Sequence, residues 1–287
     1  MTTQWVTPQR QRKDVLKVAI PAISVIIPAR NEAENIAAVV AGLGTHLARS
    51  FGDIGFEIIV ADNGSEDATP RIATAAGARL IVEPRPGYGA ACWAACECAR
   101  GEYFLFVDGD GSANVKDSVR LLRVLLKGAD LVIGVRMHPE PGSMSVAQRF
   151  GNRLACGLLK WLWGIPAKDL GPHRAVRRAA FEQMQMADRS YGWTVEMQVK
   201  AAMQQLAVTE IMVSWHARAG GYSKIGGTFF GVLRAGTGIL WKIFRLWLKH
   251  PFRFDNTFFT PLNPSAEINT AAVMGGENVT PPCLKTQ

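Results

Sequence analysis

The chain has 287 residues, of which 48% are hydrophobic, and its formal net charge is +8. This is enough to bury a large core in one globular domain with or without appended segments, and the composition is that of an ordinary globular protein. The charge favours an anionic partner: a phosphorylated small molecule, an acidic membrane surface or a nucleic acid. The odd number of cysteines, five, argues against a disulfide framework, so we expect them to be reduced.

The amino-terminal residues 1–22 form an extension without the apolar stretch of a signal peptide. No apolar run reaches the ~18 residues that a membrane span requires. We therefore expect a cytoplasmic protein.

Strand-like and helix-like segments alternate from residue 23 to about residue 135, which predicts a mostly parallel, Rossmann-like α/β sheet flanked by helices. The predicted strands are short and rich in β-branched or aromatic residues: 23–27, 56–61, 78–82, 103–107 and 131–133. The predicted helices cover residues 34–43, 66–77, 88–100 and 115–127.

A polar cluster follows each of the first four predicted strands. The clusters are residues 28–32, 62–65, 83–89 and 108–110. Ligands of open parallel sheets bind beyond the carboxyl ends of the strands. The sequence therefore predicts one functional site along this edge of the sheet.

Two aspartates, Asp108 and Asp110, follow the fourth strand with one glycine between them. Their mutual repulsion calls for a cation, and Mg2+ or Mn2+ takes one or two protein carboxylates and completes its shell with water and phosphate oxygens. A solvated turn would also explain the pair by turn propensity. The metal-binding interpretation is favoured because Asp62 lies on the same edge.

The neighbouring loops offer groups for a nucleotide. Asp62 or Asn63 could hold the base or the ribose, and the helix that opens with Gly87 and Gly89 could meet phosphate, assisted by Arg85. The segment GYGAAC lacks the third glycine of a dinucleotide fingerprint and follows the third strand rather than the first. These features disfavour a nicotinamide or flavin site.

A series of motifs resembles the family-2 glycosyltransferases of the GT-A fold, and most closely the dolichol-phosphate mannose and glucose synthases among them. The resemblance covers residues 23 to about 230 and rests on these segments, in order: SVIIPARNEAENI, IIVADNGSEDAT, RPGYGAA, FLFVDGDGS, DLVIGVR, RFGNRL, DLGPHRAVRR, GWTVEMQVKA and RAGGYSKIGGT. It implies inverting transfer of a hexose from a nucleotide diphosphate sugar, such as UDP-glucose or GDP-mannose, to a polyprenyl phosphate.

The resemblance also implies donor-site roles, position by position. Residues around the nucleoside would be Pro28, Arg30, Glu32 and Asp62. Asp108 and Asp110 would bind the metal, and Arg136 would lie beside the donor. The late basic pair Arg218 and Lys224 would close over the phosphates, and Arg149 would grip the acceptor phosphate.

Three residues depart from the family pattern. Arg30 replaces a usual tyrosine, Asn63 replaces a second aspartate that often recognises the base, and His173 replaces a common phenylalanine. The nucleobase and the sugar therefore stay open.

The acceptor decides whether a general base is needed. A phosphate acceptor is already an anion, whereas a hydroxyl acceptor needs a base, for which Glu196 is the candidate. The alternative role for Glu196 is an ion pair with Lys200 one turn further along a helix. A non-catalytic nucleotide-sugar sensor at the membrane is a further alternative. Nucleic-acid binding would explain the charge but not the carboxylates, so we expect no nucleic-acid partner.

Residues 231–254 predict an amphipathic helix at a membrane surface. Lys242, Arg245 and Lys249 fall on one stripe, and apolar residues cover much of the remainder: Ile239, Trp241, Ile243, Leu246 and Trp247. A core helix with extended lysines would give a similar pattern. Trp161 and Trp163 form a second candidate surface, which favours a peripheral membrane protein. Residues 255–287 predict a disordered tail.

Overall fold

The computed structural model describes residues 22–136, 139–218, 220, 229–251, 257 and 259–260, and every structural statement below concerns these ranges. The strands are β1 (Ile23–Ala29), β2 (Phe56–Asp62), β3 (Arg79–Val82), β4 (Tyr103–Phe106), β5 (Leu131–Val135), β6 (Arg174–Arg177), β7 (Val208–Met212) and β8 (Phe259–Thr260). The helices are α1 (Ile36–Phe51), α2 (Thr69–Ala75), α3 (Tyr88–Cys98), α4 (Val115–Leu126), α5 (Val146–Trp163), α6 (Arg178–Met184), α7 (Trp193–Met203) and α8 (Phe229–Lys249).

The described strands form one sheet in the order β3-β2-β1-β4-β6-β5-β7-β8. The pairs within β3-β2-β1-β4 and within β5-β7-β8 are parallel. β6 is antiparallel to both of its neighbours, β4 and β5. The carboxyl ends of β1, β2, β4 and β5 therefore meet at one edge of the sheet, and the amino end of β6 joins them there.

Helices cover both faces of the sheet. α1, α2 and α4 pack on one face, and α3 and α5 to α8 pack on the other. Successive strand residues point to opposite faces, so Val25 and Ile27 contribute to the first core, whereas Ile26 contributes to the second. The α/β fold expected from the sequence is confirmed.

The end of α1 and the strand β6 differ from the sequence expectations. α1 continues to Phe51 rather than ending at residue 43, because Leu47 and Phe51 extend its buried stripe. β6 was not predicted, because it is only four residues long and carries arginine at both ends. Tertiary pairing rather than local pattern creates such a strand.

α8 is part of the folded body as well as its surface. Ile243 and Leu246 are buried, and the indole N–H of Trp163, at the end of α5, donates to the His250 carbonyl at 2.7 Å. Trp163 is fully buried and so does not belong to the membrane-facing surface expected for it. None of the helices in the described ranges is long and apolar enough to cross a membrane.

The expected terminal segments lie mostly outside the described residues. Of the extension 1–22, only Ala22 is described, and of the tail 255–287, only residues 257 and 259–260 are. Phe259 is buried and pairs with Val208, so the expectation of disorder does not hold for β8.

Candidate active site

The two aspartates after β4 lie in a turn at the carboxyl edge of the sheet. Gly111 has a φ of 76° in this turn, and the backbone N–H of Ser112 donates to Asp110 Oδ1 at 2.9 Å. The hydroxyl of Tyr88 donates to Asp108 Oδ1 at 3.2 Å. The turn therefore holds both carboxylates in defined positions at the start of the following loop.

Ionisation of the Asp108 carboxyl group is unfavourable at its position in the site. Burial, and then repulsion by Asp110, raises the pKa of Asp108 to about 7, although the hydrogen bond from Tyr88 and the charge of Arg136 oppose this change. Like charges that share a site favour a proton or a cation between them.

The chemistry of this pair fits a hard divalent cation. Both side chains offer oxygen ligands, and among the described residues no group of three or more His, Cys, Asp or Glu side chains could enclose a metal ion. Mg2+ and Mn2+ sites commonly use one or two carboxylates and leave the other positions to water and substrate phosphates. Asp108 and Asp110 are thus the residues that could hold such an ion together with a diphosphate.

Arg136 follows β5 and lies beside the pair. Its guanidinium donates to both carboxylate oxygens of Asp169 at 2.7 Å and lies 5.1 Å from the centre of the Trp215 ring. Although burial opposes ionisation, the charge and hydrogen bonds of Arg136 hold the pKa of Asp169 below its ordinary value. The pairing fixes the arginine against the sheet edge.

Arg218 connects two loops of the site. Its guanidinium is hydrogen-bonded to the buried carboxylate of Glu32, and its Nε lies 3.8 Å from Asp110 Oδ2. The Asn35 side chain donates to the Gly220 carbonyl at 3.1 Å, which places this segment over the start of α1. Lys224, the other member of the expected basic pair, lies outside the described residues.

Asp62 and Asn63, at the end of β2, differ in what they offer to a ligand. Asp62 Oδ2 accepts from the Ser65 backbone at 3.2 Å, while its buried Oδ1 has no hydrogen-bond partner among the described residues. Asn63 donates to the carbonyls of Glu83 and Arg85 at 2.9 and 2.7 Å and accepts from the Gly87 N–H at 2.8 Å. The Asn63 amide is therefore committed to the loop before α3.

Of the other residues expected around the nucleoside, Pro28 lies within β1, opposite Ala61 of β2, and is partly exposed. Arg30 follows β1 at the same edge of the sheet and is exposed to solvent.

The start of α3, where the sequence predicts a phosphate site, has N–H groups that already have partners in this structure. The Gly89 and Ala90 N–H groups donate to the carbonyls of Ser190 and Arg189 at 3.2 and 2.9 Å, so these donors are already used. Gly87 has a φ of 148°, and a Cβ there would lie 2.1 Å from the Arg189 carbonyl oxygen. Gly87 thus permits close approach of the loop between α6 and α7.

The Arg85 side chain contacts the loop before α3 in this structure. Its Nε and Nη2 donate to the buried Glu83 carboxylate at 2.8 and 2.7 Å, while the Arg85 side chain is largely exposed. These hydrogen bonds lower the pKa of Glu83 to about 2. In this structure the Arg85 guanidinium is paired with Glu83, and its assignment to phosphate stays a prediction.

Glu196 lies where α7, α8 and the loop before α7 meet. It is 1% exposed, its Oε2 accepts from the Ala187 and Asp188 N–H groups at 3.0 and 2.6 Å, and its Oε1 lies 2.9 Å from Lys242 Nζ and 3.2 Å from Lys200 Nζ. Although burial opposes ionisation, the hydrogen bond from Lys242 and that from the Asp188 N–H keep the pKa of Glu196 below its ordinary value. Both oxygens have structural partners, so these contacts favour the ion-pair role of Glu196 over the general-base role.

Arg149 lies on the first turns of α5 and is exposed. Three residues later, Asn152 Oδ1 accepts from the Leu170 N–H at 2.9 Å, next to Asp169. Residues three apart share a helix face, so Arg149 is on the side of α5 that leads towards the Arg136–Asp169 pair.

Arg174 is a buried cation of this site that the motifs of the sequence did not indicate. The amino end of β6 places it opposite Phe106 at the end of β4, where it is 1% exposed. It donates to the carbonyls of Gly171 and Thr194 at 2.6 and 2.8 Å, and its Nη2 has no hydrogen-bond partner among the described residues. Burial lowers the pKa of Arg174 to about 10. The sequence feature that could have indicated a buried arginine here is its position directly before the apolar pair Ala175-Val176.

The chain is similar in sequence to known glycosyltransferases. The sequence profile described as Glycosyl transferase family 2 matches residues 24–184. An uncharacterized glycosyltransferase of Mycobacterium tuberculosis is 35% identical over 223 residues, which cover 77% of this chain and 97% of the relative. A dolichyl-phosphate hexose transferase of Haloferax volcanii is 27% identical over 199 residues, covering 69% and 84% of the two chains.

Among solved structures, a glucosyl-3-phosphoglycerate synthase of Mycobacterium tuberculosis in complex with Mn2+, UDP-glucose and phosphoglyceric acid superposes with a TM-score of 0.64. The two are 23% identical, and the match covers 78% of this chain and 79% of that one. This likeness shows a shared fold. The profile and the 35% identical relative establish that the chain belongs to the family 2 glycosyltransferases.

Proposed function

We propose that this glycosyltransferase moves a hexose from a nucleotide diphosphate sugar to a polyprenyl phosphate at a membrane surface, with Mg2+ or Mn2+ bound by Asp108 and Asp110. The observation that carries the proposal is the half-buried carboxylate pair of Asp108 and Asp110 with Arg218 beside it, Nε to Oδ2 of Asp110 at 3.8 Å. Two carboxylates and an arginine suit a metal-bound diphosphate, which carries several negative charges.

The donor would lie along the carboxyl edge of the sheet. Glu32 and Asp62, both buried there, would face the nucleoside, and Arg136 and Arg218 would face the diphosphate. The metal, when bound, neutralises charge on the leaving diphosphate. Arg218 adds a second fixed positive charge, and loss of one such preorganised group typically costs ~3 kcal/mol of transition-state stabilisation.

A phosphate acceptor fits the site better than a hydroxyl acceptor, because it needs no general base and can be bound by arginine side chains. Its oxygen is an anion that can displace the nucleotide diphosphate directly, so no general base is needed and the anomeric configuration inverts. The occupied contacts of Glu196 support this choice over a hydroxyl acceptor. A relative named as a dolichyl-phosphate hexose transferase supports it independently. Arg149 and Arg174 are the cations we assign to the acceptor side.

The membrane-facing surface would be formed by exposed apolar residues on α5 and α8. We define the apolar face as Val146, Phe150, Leu154 and Trp161 of α5 together with Leu240, Trp241, Phe244, Trp247 and Leu248 of α8, all at least 36% exposed. Large aromatic side chains beside basic ones are typical of interfacial helices. Such a face would bring the active site to a lipid-borne acceptor.

The transfer is tested with radiolabelled UDP-glucose and GDP-mannose, Mn2+, and either polyprenyl phosphate or 3-phosphoglycerate as acceptor. We expect a lipid-linked product that Asp110→Ala reduces by a factor of about 100 or more. Asp53→Ala, an exposed aspartate in the loop between α1 and β2, is the matched control. Product on 3-phosphoglycerate alone would replace the proposed acceptor, and no product with either acceptor would support the sensor alternative.

The membrane part has a separate test by vesicle sedimentation. We expect Trp241→Ser/Phe244→Ser to reduce binding to vesicles strongly, because it removes two aromatic side chains of the apolar face. Leu126→Ser, at an exposed position of α4 on the opposite face of the sheet, is the control. Equal binding by both variants would refute the assigned surface.

A further inference from the structure

A cavity of about 640 Å³ lies between α7, α8 and the loop of residues 187–192 that joins α6 to α7. Five cationic side chains and two carboxylates line it. None of the carboxylate or arginine groups assigned above to the donor or the acceptor contributes to its wall. The cavity is therefore lined by a separate set of charged groups.

The two carboxylates of the cavity are already neutralised. Lys242 Nζ lies 2.9 Å from Glu196 Oε1 and 3.5 Å from Asp188 Oδ2, and Lys200 Nζ lies 3.2 Å from Glu196 Oε1. Arg189 is placed by the Trp93 ring, 3.9 Å from its guanidinium carbon to the ring centre. These contacts form the inner wall of the cavity.

Arg245 and Lys249 give the cavity an excess of positive charge. They lie one turn apart on α8, and both are exposed. Within the described ranges neither has a carboxylate partner at ion-pair distance, unlike Lys242 on the same stripe. Two such cations beside a polar cavity are suited to a phosphate group.

The cavity is continuous with the apolar face. Trp241 is 61% exposed, belongs to the apolar face and also lines the cavity. A surface that places aromatic rings in the lipid layer brings neighbouring basic groups to the depth of the headgroups. A lipid phosphate would thus meet this cavity in the membrane-bound state.

We propose that this cavity binds the phosphate of an anionic phospholipid headgroup through Arg245 and Lys249. This deepens the membrane part of the proposed function and rests on it, but it requires neither the donor nor the transfer reaction. The site is one loop away from the active site: the Arg189 and Ser190 carbonyls accept from the first N–H groups of α3, which also carries Tyr88. Headgroup binding would thereby orient the catalytic edge towards the membrane.

The test uses the full chain and two kinds of probe. Short-chain dihexanoyl phosphatidylglycerol, below its micelle concentration, is titrated calorimetrically against dihexanoyl phosphatidylcholine and inorganic phosphate. Vesicles with and without phosphatidylglycerol are sedimented in parallel. The variant is Arg245→Gln/Lys249→Gln, and the control with equal charge loss is Arg49→Gln/Lys127→Gln, at exposed positions on α1 and after α4 on the opposite face of the sheet.

We expect saturable binding of one phosphatidylglycerol per chain, roughly 30-fold weaker in the variant and unchanged in the control. Binding to phosphatidylglycerol vesicles should fall likewise, while the residual binding to neutral vesicles through the apolar face stays. Unchanged anionic-lipid binding by the variant would overturn the proposal, as would stronger binding of inorganic phosphate than of the lipid. If Trp241→Ser/Phe244→Ser abolishes vesicle binding and Arg245→Gln/Lys249→Gln does not reduce it, the apolar face is supported and the headgroup site is refuted.

Discussion

Arg136 and Asp169 form a two-pronged ion pair at the carboxyl edge of the sheet, with both hydrogen bonds at 2.7 Å and the side chains 13% and 2% exposed. The backbone N–H of Arg136 also donates to Asp169 Oδ2 at 2.9 Å. The carboxylate thus orients both the side chain and the main chain of a residue that we assign to the donor site. Removing either partner leaves the other charge buried.

We predict that Asp169→Ala lowers the free energy of unfolding by about 3–5 kcal/mol, because Arg136 would stay buried without its partner. Urea denaturation measures this. Asp169→Ala/Arg136→Met should recover much of the loss, since no unpaired charge is left. Glu182→Ala breaks the more exposed pair with Arg178 and should cost less than about 1 kcal/mol. Similar costs for both single variants would contradict the structural role of Asp169.

Asn63→Asp tests whether this position recognises a base or holds a loop. The aspartate would face the carbonyls of Glu83 and Arg85, to which the amide now donates, so we expect a loss of at least about 2 kcal/mol of stability. Asn114→Asp is the control, because Asn114 caps α4 as an acceptor and aspartate caps equally well. A stable Asn63→Asp protein with tighter nucleotide binding would favour base recognition instead.

Glu196→Gln separates a structural carboxylate from a general base. Because Lys242 and Lys200 would lose their charged partner, we expect the free energy of unfolding to fall by about 2 kcal/mol. Turnover of the folded variant should stay within about tenfold of wild type, whereas loss of a general base typically costs a factor of about 100 or more. Initial rates below the melting temperature decide between these outcomes.

His173 predicts a dependence of stability on pH. It is 1% exposed, its Nε2 lies 3.0 Å from Ser118 Oγ, and burial lowers its pKa from 6.5 to about 4. The unfolded chain therefore binds the proton more readily, so the contribution of His173 to stability is complete above pH 6.5 and declines as the pH falls towards 4.

The shift in the pKa of His173 contributes roughly 3 kcal/mol to the free energy of unfolding above pH 6.5, and this contribution is lost as the pH falls below about 4. His173→Gln should remove the pH dependence that is due to this group. Urea denaturation of both proteins at pH 7 and pH 4.5 measures the difference. Parallel stability curves for the two proteins over this interval would show that His173 is not the titrating group.

The sequence alone determined the elements of the first half and the edge at which they present polar residues. Strands such as Ile23–Ala29 and Phe56–Asp62 are short apolar runs that end at turn residues, and that pattern is local. Asp108, Asp110 and Asp62 were predicted to share an edge because parallel strands point the same way. The family followed from the order of the motifs.

Only the tertiary structure decided which polar groups are available to a ligand. Arg85 and Asn63 follow strands on the correct edge, yet Glu83 and three backbone groups occupy them. Partners distant in the chain also fixed Glu196, through Lys242, and brought Arg174 to the site on an antiparallel strand. The periodicity of a sequence indicates which face of a helix or strand is apolar. Hydrogen bonds and ion pairs, in contrast, form between elements that are distant in the chain. Which polar side chains already have a partner, and which can still bind a ligand, is therefore decided only when the chain folds.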